Sequence, residues 1–317
     1  MQFWSTTNKR PLRGLAGVCE RPDGVALARV DRSGDSPRLA ICTFLDEATT
    51  DPAAGLPELV RRQSLRGVSC VGVMEPRSYS LAQIELPDVP EAEINEAVRW
   101  LIKDLLDFPL EEAVIDHFPV PGVNVARSRL GYVVAAPRSA VRRLALLIRQ
   151  ARLRVAAIDI PEMALHQLAG FLPEGDRGVA LLYPGRTRSL ITVSRRGILY
   201  LSRTVGVGAA DLTPLATEDG EGGIDPQLTD LLATMVLEVQ RSLDFYESHF
   251  GQAPVAALAV APMESPVPGM LSYLQRSLGV PVRSFDLGEI FPDCPLSPAE
   301  QSRCLLAVGA ALRPELA

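Results

Sequence analysis

The sequence has 317 residues, of which 47% are hydrophobic and 22% are charged, and its formal net charge is −6. This composition is that of a folded globular protein with one large or two ordinary domains. Lys and Arg are dispersed along the chain, and because phosphate binding needs a basic patch, we expect no nucleic-acid partner.

Local features exclude other classes of protein. The first ten residues lack the apolar segment of a signal peptide. No window offers the roughly 18 uninterrupted apolar residues of a transmembrane helix, so we expect no direct membrane insertion. The five cysteines and three histidines are widely spaced and match no zinc or disulfide pattern. We therefore expect no metal site and a reducing, cytoplasmic environment.

The first half of the chain contains short apolar runs bounded by turn residues, a pattern typical of β-strands. The predicted strands are residues 14–20, 24–30, 38–44, 68–74, 80–86, 112–120, 128–135 and 155–160. Helices are predicted at residues 56–63, from Pro90 to the Asp107-Phe108-Pro109 sequence, near residues 141–153 and from Pro161. The second of these helices has a predicted buried face made of Ile94, Val98, Leu101 and Leu105.

The second half of the chain repeats this order. Its predicted strands are residues 177–183, 189–194, 198–205, 255–261 and 280–284. Residues 209–226 are rich in Gly, Asp, Glu and Thr and predict a surface loop. An apolar stripe from Leu228 to Tyr246 predicts a long helix, and a shorter helix is predicted at 269–278. A capping box at Ser297 and Glu300 predicts the start of the last helix. Strands followed by helices in each half predict a duplicated, two-lobed α/β fold with a ligand cleft between the lobes.

Three groups of segments stand out when they are read together and in register. They are residues 83–87, 91–100 and 107–112 in the first group, 133–137 and 155–161 in the second, and 238–246, 269–274 and 278–282 in the third. In order and spacing these segments resemble the PilM family of type IV pilus assembly proteins, and within that family they are most similar to the MshI members. The resemblance covers residues 14–291, nearly the whole chain.

The resemblance implies an actin-like (ribonuclease H-like) fold with an inserted subdomain. It places the first lobe at residues 1–75 and 138–170, the inserted subdomain at 76–137 and the second lobe at 171–317. It also implies a cytoplasmic protein at the face of the inner membrane. Its partner would be the N-terminal cytoplasmic tail of a PilN-like membrane protein, lying in a groove between the first two subdomains. The pilus assembly ATPase is a second candidate partner.

The fold that the resemblance implies holds ATP in three loops, and this sequence departs from the family in all of them. The residues at these positions are Cys19, Asp23 and Ala26 in the first loop, Tyr183, Gly185 and Arg186 in the second, and Met263 and Glu264 in the third. Cys19 and Tyr183 stand where the family has Asp, and Ala26 stands where it has Lys. Pro22 has no N–H group to give to a phosphate. We therefore expect a degenerate site without ATP or Mg²⁺ and no enzymatic activity. Arg186 and Arg188 could still attract an anion, which leaves a weak residual nucleotide site open.

Partner binding is the function left to test. By the resemblance, the candidate peptide-binding residues lie on the helix and turn of the inserted subdomain: Arg99, Trp100, Lys103, Phe108 and Pro109. Aromatic side chains tend to dominate such interfaces. The alternative interpretation, favoured for Trp100, is that Trp100 and Phe108 pin this helix to its own sheet. Lys103 could equally pair with Asp107, one helical turn away.

Two other functions remain open at this stage. The chain could be an active actin-fold ATP-binding protein with diverged loops. It could also be the cytoplasmic part of a GspL-like protein of type II secretion. Such proteins continue into a transmembrane helix, and the last residues of this sequence, 313–317, do not begin one.

Overall fold

The computed structural model describes residues 14–32, 34, 36–125, 128–216 and 225–314. Within these ranges, β-strands form two five-stranded sheets and one three-stranded sheet, and α-helices cover them. No helix in the described part of the chain has both the length and the apolar character that crossing a bilayer requires. The prediction for residues 1–10 lies outside the described residues.

The first five-stranded sheet contains the N-terminal strands. In spatial order they are β3 (Arg38–Asp46), β2 (Gly24–Asp31), β1 (Ala16–Arg21), β4 (Ser69–Val73) and β8 (Arg154–Asp159). Strands β1, β2 and β3 are antiparallel neighbours, whereas β1, β4 and β8 run parallel. The turn between β1 and β2 consists of Pro22 and Asp23. Gly24 follows this turn with a φ of 153°, a conformation that favours glycine.

The second five-stranded sheet repeats the first one. In spatial order its strands are β11 (Ile198–Val205), β10 (Ser189–Arg195), β9 (Val179–Pro184), β12 (Ala257–Val260) and β13 (Val282–Ser284). Strands β9, β10 and β11 are antiparallel neighbours, and β9, β12 and β13 are parallel. The same order and the same directions in both sheets confirm the predicted internal duplication.

The three-stranded sheet is antiparallel throughout. Its strands, in spatial order, are β5 (Ser80–Leu86), β7 (Ser128–Pro137) and β6 (Ala113–Val125). Helix α2 (Glu91–Leu101) covers one face, where Val133 and Ala135 of β7 are buried. On the opposite face, Leu130 and Tyr132 join the core of the second five-stranded sheet. Because successive residues of a strand point to opposite faces, β7 serves both cores.

The helices form layers around the two large sheets. Helices α1 (Pro52–Arg62) and α3 (Arg138–Gln150) cover the outer face of the first sheet. Helices α4 (Pro161–Ala169) and α8 (Pro298–Ala311) lie between the two sheets. The long helix α6 (Pro226–Phe250) and α7 (Met270–Ser277) cover the outer face of the second sheet, and the short α5 (Ala209–Leu212) follows β11.

The contact between α8 and β1 is unusually close. A Cβ atom on Gly17 of β1 would lie 1.9 Å from the carbonyl oxygen of Ala307 in α8. A Cβ atom on Gly309 would lie 2.3 Å from the carbonyl oxygen of Ala164 in α4. Glycine at these two positions therefore lets the backbone of α8 lie directly against the backbones of β1 and α4. This contact holds the turn after β1 at a fixed distance from α8.

Several helix predictions are confirmed together with their caps. The predicted stripe of α6 is buried, Asp225 caps the helix and Gly251 ends it in the left-handed conformation. The capping box at the start of α8 is present, since Ser297 accepts from the Glu300 N–H and the Glu300 carboxylate accepts from the Ser297 N–H.

Three predictions of local structure are wrong. Ile102, four residues after Val98, continues the buried stripe of α2 and is 2% exposed, whereas Leu101 and Leu105 are more than half exposed. The α-helix ends at Leu101, and a 3₁₀ turn follows at Lys103–Leu105. Helix α1 starts at Pro52 because the Asp51 carboxylate caps it there. The predicted loop 209–226 begins as α5, and its residues 217–224 lie outside the described part of the chain.

Candidate functional site

The structure brings the three predicted loops together in one cavity of about 810 Å³, here called the central cleft. The cleft lies between the turn after β1, the turn after β9 and the segment after β12. The predicted residues that line it are Cys19, Asp23, Tyr183, Gly185, Arg186, Met263 and Glu264. Ala26 is fully buried inside β2 and does not line the cleft. The convergence follows from the duplication, because the equivalent strands β1 and β9 end at the same place.

Three residues that line the central cleft, Arg21, Asp23 and Glu264, belong to a cluster of ion pairs. The Arg21 guanidinium donates two hydrogen bonds to the Asp23 carboxylate, at 2.9 and 3.0 Å, and a third to Glu264. The other oxygen of Glu264 accepts from Arg303 of α8 at 2.9 Å. These four residues, Arg21, Asp23, Glu264 and Arg303, are called the ion-pair cluster below. It joins the first sheet, the second sheet and the central helix layer.

Packing and partial burial strengthen the ion-pair cluster. The guanidinium carbon atoms of Arg21 and Arg303 lie 5.5 and 5.3 Å from the centre of the Phe44 ring, which both cations contact. The Arg21 side chain is 15% exposed. Burial raises the pKa of the Asp23 carboxyl, the hydrogen bonds from Arg21 lower it, and the net shift is downward. Asp23 therefore remains a carboxylate that Arg21 has already neutralised.

Cys19 and Tyr183, which line the central cleft, are buried and neutral. Burial raises the pKa of the Cys19 thiol to about 12 and that of the Tyr183 hydroxyl to about 12. Neither side chain offers a negative charge to a cation. In the described part of the chain, no group of three or more His, Cys, Asp or Glu side chains is arranged to hold a metal ion.

The rim of the central cleft carries positive charge. Arg186 and Arg188 are exposed on the turn between β9 and β10, and Arg77 donates a hydrogen bond of 3.2 Å to the Thr187 hydroxyl between them. Gly185 makes this turn tight, since a Cβ atom there would lie 2.5 Å from the Arg188 carbonyl oxygen. The rim can attract an anion, although exposed charge without backbone N–H groups gives little specificity.

Sequence reasoning missed a buried carboxyl group in the wall of the cleft. Glu162, at the start of α4, is 5% exposed, and the Tyr79 hydroxyl donates a hydrogen bond of 2.5 Å to it. Burial raises the pKa of Glu162 to about 7, although Tyr79 and the backbone N–H of Glu162 act in the opposite direction. Its sequence signal was its position after a strand and a helix-starting proline, but the burial itself depends on tertiary packing, which brings Tyr79 to it from 83 positions earlier.

A second concave surface lies on the opposite side of β1. It is a groove of about 680 Å³ between α3, the start of α1 and the 3₁₀ turn Leu110–Glu112, here called the lateral groove. Helix α3 contributes both cations and apolar side chains to it: Arg138, Arg142, Arg143, Leu146 and Leu147. Leu146 is 47% exposed. Glu111 and Glu112 line the other side. The groove can therefore hold a chain segment with apolar and charged groups.

None of the five predicted peptide-binding residues lines the lateral groove. Trp100 is 64% exposed, so the interpretation that it pins α2 to its own sheet is wrong. Phe108 is partly buried against that sheet, in agreement with the same interpretation. Arg99 donates to the carbonyl oxygen of Leu110, while Lys103 and Pro109 are exposed. Whether these five residues contact a peptide stays a prediction.

Comparison with known proteins supports the fold. No family model matches the sequence, and no curated protein matches it significantly. A solved structure of a PilM–PilN type IV pilus biogenesis complex is similar, with a TM-score of 0.74 and 22% identity over 95% of this chain and 98% of that one. Together with the duplicated sheets, this likeness shows that the chain has an actin-like fold, as predicted.

Two further structures are similar at lower scores. One is a protein with an actin-like ATPase fold and unknown function from Bacteroides thetaiotaomicron, with a TM-score of 0.49 and 10% identity over 87% of this chain and 92% of that one. The other is the cytoplasmic domain of EpsL, an inner-membrane component of the type II secretion system of Vibrio cholerae. Its TM-score is 0.45, with 14% identity over 83% of this chain and 93% of that one.

Proposed function

We propose that this chain is a docking protein of a type IV pilus assembly machine and that it works without nucleotide. The three groups of segments that resemble the PilM family support this proposal, and so does the similarity in fold to a PilM–PilN complex. The narrower assignment to the MshI members is part of the proposal, as is a position in the cytoplasm at the face of the inner membrane.

The observation that carries the proposal is the position of Arg21 in the central cleft. A nucleotide with Mg²⁺ needs free carboxylates for the metal and free N–H groups for the phosphates. Here Arg21 engages Asp23 and Glu264, and Pro22 has no N–H group. A triphosphate would have to break these ion pairs, while Glu264 would repel it. The residues present therefore do not fit Mg·ATP, and we infer that the cleft is structural.

The partner in this proposal is a short tail of a membrane protein of the PilN kind, and its site is the lateral groove. The groove adjoins the three-stranded sheet and combines exposed apolar surface at Leu146 with cations on α3. Arg142 lies one helical turn before Leu146, so an acidic side chain next to an apolar one in the tail would fit both. The pilus assembly ATPase is a further partner candidate.

Titration calorimetry tests the nucleotide part of the proposal. We expect no binding heat for ATP with Mg²⁺ at concentrations up to the millimolar range. Micromolar binding that disappears in Asp23→Ala would contradict the proposal and favour an active ATP-binding protein. The exposed arginines at Arg186 and Arg188 are the observation that favours this second function.

Peptide binding tests the partner. The probe is a synthetic peptide with the sequence of the cytoplasmic N-terminal tail of a PilN-like membrane protein, labelled for fluorescence polarisation. Leu146→Ser is expected to weaken binding about tenfold, since a contacted apolar anchor contributes of the order of 1–2 kcal/mol. Leu237→Ser is the matched control, because Leu237 is 49% exposed on the distant α6.

Trp100→Ala separates the two candidate surfaces. If Trp100→Ala weakens binding while Leu146→Ser does not, the tail docks on α2 and the lateral groove is not its site. If wild-type protein does not bind the segment at all, the docking function itself is wrong.

A further inference from the structure

The two concave surfaces share one residue. Glu20, in β1, lines both the central cleft and the lateral groove. Its carboxylate forms an ion pair with Arg143 of α3, another residue that lines the groove, with a nitrogen–oxygen distance of 3.2 Å. The next residue is Arg21, whose guanidinium bonds Glu264 across the cleft. Successive residues of a strand point to opposite faces, so the end of β1 holds the groove on one side and the cleft on the other.

These contacts form a continuous chain of ion pairs across the molecule. The chain runs from Arg143 in α3 to Glu20, passes through the backbone to Arg21, and continues to Glu264 and Arg303 in α8. Its members come from segments that are far apart in sequence, so it links α3, the turn after β1 and the segment that follows β12. The peptide bond between residues 20 and 21 is the only covalent link in it.

Glu20 is placed to respond when Arg143 changes partner. Burial raises the pKa of the Glu20 carboxyl, Arg143 lowers it, and Glu75 and Glu47 raise it further. Without Arg143, the Glu20 carboxylate would face two other carboxylates and would favour a different position. Any group that competes for Arg143 in the groove therefore acts directly on the last residues of β1.

We propose that the ion-pair cluster of the central cleft and the lateral groove are coupled through the end of β1, so that an intact cluster keeps the groove in its binding form. The part of this proposal that concerns a bound tail rests on the proposed function. Coupling free energies are reciprocal, so a tail that binds better to the form with an intact cluster also tightens the cluster by the same factor.

Hydrogen exchange on the full chain without any tail tests the coupling. The variant is Glu264→Gln, which keeps the shape of the side chain and removes its charge. We expect amides of the turn after β1 and of the first two turns of α3 to exchange about fivefold faster than in wild type, at the low end of usual coupling. Glu238→Gln, which breaks the Arg241–Glu238 pair on α6, is the control and should leave both regions unchanged.

Two results would overturn the proposal. Faster exchange confined to the turn after β1, with α3 unchanged, would show that the cluster acts only locally. Unchanged exchange in that turn would show that the cluster holds nothing in place. If Glu264→Gln fails to fold, Arg303→Gln removes only the outer end of the cluster and is measured in the same way.

The labelled tail segment gives a second readout. If wild-type protein binds it, Glu264→Gln should weaken the binding about fivefold, although Glu264 does not line the groove. Unchanged affinity together with faster exchange in α3 would contradict the claim that the cluster keeps the groove in its binding form. If wild-type protein does not bind the segment, the docking function fails, while the exchange experiment still decides the coupling.

Discussion

Glu162 should make the stability of this protein depend on pH, and Glu162→Gln should remove that dependence. The carboxyl is 5% exposed and its pKa rises from 4.5 to about 7 on folding, chiefly because burial disfavours the charged form. A raised pKa means that the folded state binds the proton more tightly. The stability that this adds is therefore fully present below pH 4.5 and is lost as pH rises through 7.

The size of the effect follows from the same pKa values. Ionising Glu162 in the folded protein costs about 3 kcal/mol, because each pKa unit corresponds to about 1.4 kcal/mol. Most of this cost, about 2 kcal/mol, accrues between pH 5 and pH 8. Glu162→Gln carries no such cost, so relative to wild type it should gain about 2 kcal/mol of unfolding free energy over this interval.

Urea unfolding followed by far-ultraviolet circular dichroism at pH 5, 6.5 and 8 measures this difference. Comparing one variant with wild type across pH cancels any constant effect of the amide and the contribution of other titrating groups. Tyr79→Phe provides the opposite test, since it removes a hydrogen bond that lowers the pKa of Glu162. In that variant the loss of stability should extend to higher pH. A constant difference between Glu162→Gln and wild type at all three pH values would refute the reasoning.

Two further predictions concern packing and edge protection. Gly17→Ala should lower the free energy of unfolding by about 2–3 kcal/mol in urea unfolding, because the new Cβ atom would overlap the Ala307 carbonyl. Gly206 has open space around it, so the control Gly206→Ala should change the free energy of unfolding by less than about 0.5 kcal/mol. Equal effects of the two substitutions would contradict the close contact between β1 and α8. The Tyr132 hydroxyl donates to the Tyr200 carbonyl at 3.1 Å and accepts from the Ser202 N–H at 3.0 Å. Tyr132→Phe should therefore lower the free energy of unfolding by about 2 kcal/mol and speed hydrogen exchange of the Ser202 amide. Wild-type exchange at Ser202 would show that this hydroxyl does not protect the edge of β11.

Local structure was largely predictable, because helices and strands leave periodic patterns in the sequence. The stripe of α6, the capping box of α8 and the strands β5 and β11 were found from spacing and turn residues alone. The errors arose where two choices fit the same pattern. At the end of α2, both Leu101 and Ile102 suit the buried face, and only tertiary packing decides that Ile102 is the buried one.

The candidate site was predictable in composition but not in arrangement. The identity of Cys19, Tyr183 and Glu264 at the three loops could be noted in the sequence, and the structure places all three in one cleft. Nothing in the sequence indicated that Arg21 would reach Glu264, 243 positions later, and neutralise it. The exposure of Trp100 and the burial of Glu162 could not be predicted from the sequence either, since each depends on which element packs nearby.

The sequence by itself determined the elements, their caps and the residue types that the three loops present, since these depend on neighbours a few positions apart. Only the tertiary structure decided which charges meet. Ion pairs such as Arg21–Glu264 and Arg143–Glu20 join segments brought together by the strand order of two sheets and by the glycine contact between β1 and α8. A side chain's partner depends on distance in space, and spacing along the chain encodes that distance only within one helix, strand or turn.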